Sequence, residues 1–135
     1  MNDTQDPPVN WAMFQQTRNQ LGPNFMRVLG YFREDGDAAI ARIETAMRAG
    51  NPAPMVLPAH TLKTEARQFG GEALGALAEE IEMFARDCVE ARESPADYVH
   101  RVVKLRPMFE ALLAEIDAET NPLQRRKPVF GRRAG

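Results

Sequence analysis

The sequence predicts an all-α protein, an up-and-down four-helix bundle with an additional short N-terminal helix, and three observations carry that prediction. Apolar residues recur at spacings of three and four through most of the chain, the period of a helix with one buried stripe. No run alternates apolar and polar residues as a half-buried strand would. Glycine and proline fall between the periodic stretches, so they divide the chain into helices and turns.

In chain order, residues 1–9 read as a disordered N-terminus, 10–120 as the bundle and 121–135 as a basic, flexible tail. Asn10 stands where it can cap a short helix that carries Trp11, Phe14 and Leu21 on one side. Gly22-Pro23 ends that helix. From Asn24 to about Ala49, the residues Phe25, Val28, Leu29, Phe32, Ile40, Ile43 and Met47 form a longer pattern, read as one helix. Gly36 in its middle costs about 1 kcal/mol relative to alanine, which leaves a break there as the alternative.

A loop from Gly50 to Pro54 follows, with Pro54 or Pro58 in the first turn of the next helix, where a missing N–H does no harm. That helix presents Ala59, Leu62, Ala66 and Phe69 to the core and stops at Gly70-Gly71. Leu74, Leu77, Ile81, Phe84 and Cys88 then mark a helix that folds back antiparallel on it, forming a hairpin. Ser94 reads as an N-cap and Pro95 as the first helical position of the last helix, which is expected to reach about Glu119. Its stripe is Tyr98, Val102, Leu105, Phe109, Leu112 and Ile116, and Pro107 is expected to kink it.

A length of 135 residues with 44% hydrophobic content fits one domain around one core. A formal charge of −2 argues against a general nucleic-acid binder. The charge is uneven: Arg125, Arg126, Lys127, Arg132 and Arg133 make the last fifteen residues +5 and leave −7 on the rest. That tail reads as a solvated, disordered end, with membrane or nucleic-acid contact as the lesser alternative. One cysteine makes no intramolecular disulfide, and the N-terminal residues have neither a basic start nor an apolar run, so a cytoplasmic chain is expected. No stretch approaches the roughly 18 apolar residues of a membrane span. Cys88 continues an apolar stripe and reads as a buried, inert thiol. Two histidines, with no cysteine cluster and no Glu-x-x-His pair, give no support for a metal site. His100 lies away from the core stripe and reads as a bystander.

The stretch that carries chemistry runs from Ala59 to Gly71. His60 lies beside the core stripe, and Lys63, Thr64 and Arg67 follow it at i+3, i+4 and i+7, nearly on one line. Two cations thus flank one nucleophile, an arrangement suited to phosphoryl transfer, which depends on in-line positioning and on neutralising charge on the equatorial oxygens. Both cations also have an ordinary reading as solvated charges, which fits Arg67 better than Lys63. Counting outward from the Gly-Gly turn, His60 and Glu82 stand at equal heights, each roughly 15 Å along its helix. A carboxylate there can accept from Nδ1–H, fix the tautomer and leave the Nε2 lone pair free. Glu82 also belongs to the acidic run Glu79, Glu80, Glu82, whose bland reading is a solvated face. Arg86 points to the same neighbourhood.

From roughly Phe25 to Ile116, these features resemble the histidine-containing phosphotransfer (HPt) domains of bacterial two-component phosphorelays. The family's His-x-Leu-Lys-Gly motif, with a later apolar residue and glycine, is matched by His60-Thr61-Leu62-Lys63-Thr64 and Phe69-Gly70, and its downstream leucine pattern by Leu74, Leu77, Ile81 and Glu82. The resemblance implies that His60 is phosphorylated, that Lys63 helps hold the phosphoryl group and that Glu82 contacts the imidazole. Arg86 matches a basic position of some members. Thr64 departs from the usual glycine, and either crowds the phosphoryl group or donates its hydroxyl to it.

The function so implied is a phosphorelay intermediate that carries a phosphoryl group on His60 between receiver-domain aspartates. It would be a phosphocarrier without autokinase activity, since no nucleotide loop or kinase motif is present. The implied partners are response-regulator receiver domains and a hybrid histidine kinase, with no nucleic acid and no membrane. The chain needs no cofactor of its own, Mg²⁺ being supplied by the receiver, and nothing demands more than a monomer. The rival reading is a non-phosphorylated bundle that binds and sequesters a receiver or kinase.

Overall fold

The computed structural model describes residues 9–121, and the expected tail over 121–135 lies outside them except for Asn121. Helix α1 spans Trp11–Leu21, α2 Phe25–Ala49, α3 Ala53–Gln68, α4 Glu72–Ala91, α5 Val99–Val102 and α6 Leu105–Thr120. Short 3₁₀ turns over Gly22–Asn24 and Ala96–Tyr98 precede α2 and α5. There is no strand among the described residues, and α2, α3, α4 and the α5–α6 limb form the expected four-helix bundle. The apolar stripes meet in one core that includes Leu29, Ile40, Ile43, Leu62, Leu77, Ile81, Leu105 and Leu112.

α1 is the additional N-terminal helix, capped by Asn10, whose Oδ1 accepts from Met13 N–H at 3.2 Å. It lies over the end of α3: the Thr17 hydroxyl donates to Gln68 O at 2.5 Å, and Asn10 N–H donates to Gly70 O at 2.6 Å. Of the segment expected to be disordered, only Val9 is described, and its side chain is buried. A line of rings continues inward from Trp11 to Phe14, Phe25, Phe69, Phe32 and Phe109, with neighbouring centroids 5.1 to 6.0 Å apart.

α2 is unbroken, and the reason for Gly36 is tertiary. A Cβ there would stand 2.5 Å from the Phe109 ring, so glycine makes room for an aromatic side chain of α6. Pro54 sits in the first turn of α3, whereas Pro58 lies inside the helix and is buried. Its absent N–H would have met the carbonyl of Pro54, so one helical bond is missing and the helix continues.

The last helix departs from expectation. Where a single kinked helix was predicted from Pro95, the limb is a 3₁₀ turn, the short α5, a break at Val103-Lys104 and then α6. Pro107 has no N–H for Val103 O, so it does not kink a continuous helix but sits in the first turn of a new one, where its geometry is favourable. The expected cap is displaced by one residue: Pro95, not Ser94, stands at the N-cap of the 3₁₀ turn and makes no side-chain capping bond, while the Ser94 hydroxyl accepts from Ala96 N–H at 3.2 Å.

The α3–α4 turn fixes the geometry of the hairpin. Gly71 N–H donates to Ala66 O at 2.7 Å and Gly70 N–H to Arg67 O at 3.1 Å, the paired bonds of a Schellman ending, with Gly70 at φ 87°. A Cβ on Gly70 would also approach Asn10 O to 2.5 Å. Gly70→Ala is therefore expected to lower stability by about 2 kcal/mol, from left-handed strain and displacement of the Val9–Asn10 segment. Urea unfolding measures this; an unchanged midpoint would show that the turn is not under this constraint.

Candidate functional site

The hairpin places His60 on α3 opposite Glu82 on α4, as the count from the turn requires. His60 Nδ1 lies 3.1 Å from Glu82 Oε2. The ring is half exposed, with the side chain at 49%, while the Glu82 side chain is only 5% exposed. Nδ1 is therefore the nitrogen engaged with the buried carboxylate, and Nε2, across the ring, makes no bond among the described residues.

Two cations share the same carboxylate. Lys63 Nζ stands 3.0 Å from Oε1, and Arg86, one turn beyond Glu82, donates to Oε2 through Nη2 at 2.8 Å and Nε at 3.1 Å. Burial pushes the Glu82 carboxyl upward, but bonds from Arg86, Lys63 and His60 outweigh it and hold the group below the usual carboxylate range. Glu82 is thus an ionised acceptor that holds the Nδ1 proton and orients the imidazole. The neighbouring acids do other work: Glu79 pairs with Arg67, while Glu80 pairs with Arg101 and accepts from the Tyr98 hydroxyl. The acidic run is three different environments, because successive helical positions face different neighbours.

Thr64 and Arg67 are not equivalent neighbours of the imidazole. The Thr64 hydroxyl donates to His60 O at 3.3 Å, one turn back. Arg67, expected to be the second flanking cation, is drawn toward the hairpin turn, with Nη2 2.9 Å from Glu79 and Nε 3.8 Å from Glu72. Its stem lies against Gly75, where a Cβ would come within 2.7 Å of Arg67 Cγ. The cations beside His60 are Lys63 and Arg86. Arg86 is thereby placed more closely at the site than its spacing alone indicated.

The surroundings of the site include apolar groups that the core pattern did not mark as functional. Leu57, one turn before His60, is exposed, as are Met83 and Val89 on α4. Ala53, Val56, Arg86, Val89 and Glu90 line a shallow groove between the start of α3 and the end of α4. The available signal was that Leu57 falls off the core stripe yet on the side of the histidine.

His100 is exposed, its Nδ1 3.1 Å from Asp97 O, and Cys88 is buried, with burial raising its thiol. Among the described residues no group of three or more His, Cys, Asp or Glu is placed to hold a metal, and no helix is long and apolar enough to cross a membrane.

Comparison with known proteins assigns the chain. No curated protein and no solved structure matched. The family described as the Hpt domain matches residues 27–119, from just inside α2 to the last turn of α6, leaving α1 outside. The match spans about two thirds of the sequence and contains the histidine, its glutamate and both adjoining cations. With the helical bundle and the exposed histidine already in place, the chain belongs to the Hpt domain family, the histidine phosphotransfer domains of phosphorelays.

Proposed function

We propose that this chain is a phosphorelay intermediate in which His60 Nε2 takes a phosphoryl group from the aspartyl phosphate of one receiver domain and passes it to the aspartate of another. The observation that carries this reading is the bond between His60 Nδ1 and the buried Glu82, which leaves the opposite nitrogen of a half-exposed ring unengaged. In the transfer, the Nε2 lone pair forms the N–P bond. The P–O bond to the receiver's aspartate breaks, and its electron pair returns to that carboxylate. The Nδ1 proton stays in place, so the phosphorylated ring is a cation facing the Glu82 carboxylate.

No proton has to leave this chain in either direction, which suits a reversible carrier. Lys63 and Arg86 stand where one of them can turn from Glu82 to the phosphoryl oxygens. Any Mg²⁺ in the step is the receiver's. Docking is on the His60 face, where Leu57, Met83 and Val89 offer apolar contact for a small, transient interface.

The test is incubation with a panel of phosphorylated receiver domains, followed by assay for acid-labile, alkali-stable label. Wild-type protein is expected to be labelled, and His60→Gln to carry none while binding receivers as before. Receiver binding without any label on the wild type would overturn phosphotransfer and favour the sequestering bundle.

A further inference from the structure

Thr64 stands one turn after His60 on the exposed side of α3. Cα–Cβ bonds in a helix tilt toward its N-terminus, so the Thr64 side chain covers the turn that carries the imidazole. Its only hydroxyl proton is directed to His60 O at 3.3 Å. Phosphoryl oxygens at neutral pH are acceptors, so this hydroxyl can serve them only by giving up that bond. What the position presents to an approaching group is therefore the γ-methyl.

The other side chains along this line are held back from the approach. Lys63 is turned onto Glu82, and Arg67 onto Glu79 and Glu72. Of the i+3, i+4 and i+7 positions, only Thr64 is exposed without a bond to α4. Resting on the phosphotransfer reading above, we infer that Thr64 is a specificity-determining residue: its methyl narrows the approach to His60 Nε2 and selects receivers with a small side chain beside the phosphoaspartate.

Because the methyl and the hydroxyl can be removed separately, the inference is testable with conservative variants. Thr64→Val keeps the shape and loses the hydroxyl; Thr64→Ser keeps the hydroxyl and loses the methyl; Thr64→Ala loses both. Each is compared with wild type for labelling by the receiver panel and by phosphoramidate, a small donor that docks no protein. Thr64→Val should match wild type with every receiver. Thr64→Ser and Thr64→Ala should gain roughly tenfold with receivers that wild type serves poorly, the scale of discrimination by one methyl group in a packed contact. With phosphoramidate all four proteins should load at similar rates.

Slow labelling of Thr64→Val with Thr64→Ser intact would overturn the steric account in favour of a donating hydroxyl. Equal rates for all variants with every receiver would overturn it by making Thr64 a bystander. Equal gains with phosphoramidate would also overturn it, since the effect would then lie in the chemistry at His60. Absence of label from either donor on all four proteins is a different result, which sinks the phosphotransfer reading and this inference with it.

Discussion

Replacing Glu82 with alanine is expected to slow phosphoryl transfer to His60 by about a hundredfold, the scale of losing an oriented proton-holding partner. The bundle should remain folded. Glu82 is the partner of Nδ1 among the described residues, so the ring loses both its orientation and the carboxylate that faces the cation formed on phosphorylation. Lys63 and Arg86 would be left without this acceptor, but their side chains are 20% and 54% exposed and can turn to water. Rapid-quench kinetics with a phosphorylated receiver checks the rate; a loss of less than about threefold would remove Glu82 from the mechanism.

The same variant has a signature in pH. The folded-state value of Glu82 lies below its unfolded value, so its stabilising contribution is present above the unfolded carboxylate range. It is lost as pH falls through the folded value. The stability gap between wild type and Glu82→Ala should therefore be largest near neutrality and close in acid, below about pH 4. Urea titrations across this range measure the gap, and a constant difference would contradict the charge pairing.

The second large effect is expected in the core: Phe32→Ala should destabilise the fold by about 3–5 kcal/mol. Phe32 is essentially unexposed, stacks on Phe69 with centroids 5.1 Å apart and meets Phe109 edge-on at 5.5 Å. Its removal opens a cavity between α2, the end of α3 and α6, and backbones held by three helices do not collapse to fill it. Because Phe69 adjoins the turn that sets the heights of His60 and Glu82, transfer should also slow under conditions where the variant remains folded. Chemical unfolding decides the first point, and a loss below about 1 kcal/mol would mean that the neighbouring rings repack freely.

Much of the site is legible in the sequence. His60 and Glu82 meet because both were counted from one Gly-Gly turn, and a tight turn between two regular helices converts sequence distance into height with little freedom. The core stripes were legible for the same reason: a helix has one period, and a buried side must repeat it. Asn10 was found as a cap because its bond is made to a residue three positions away.

What only the tertiary structure decided depends on contacts between residues far apart in the chain. Gly36 is explained by Phe109, Gly70 by Asn10 and Val9, and the position of Arg67 by Glu79 and Gly75. The break before α6 was hidden because Tyr98, Val102 and Leu105 keep helical spacing across it, so periodicity passed over a turn that loses its hydrogen bond at Pro107. The sequence by itself determined the bundle, its helices up to Ala91 and the pairing of one histidine with one glutamate, since those follow from local geometry and a single turn. The tertiary structure decided that Lys63 joins that glutamate while Arg67 turns to Glu79, because long side chains choose among partners that only folding brings within reach.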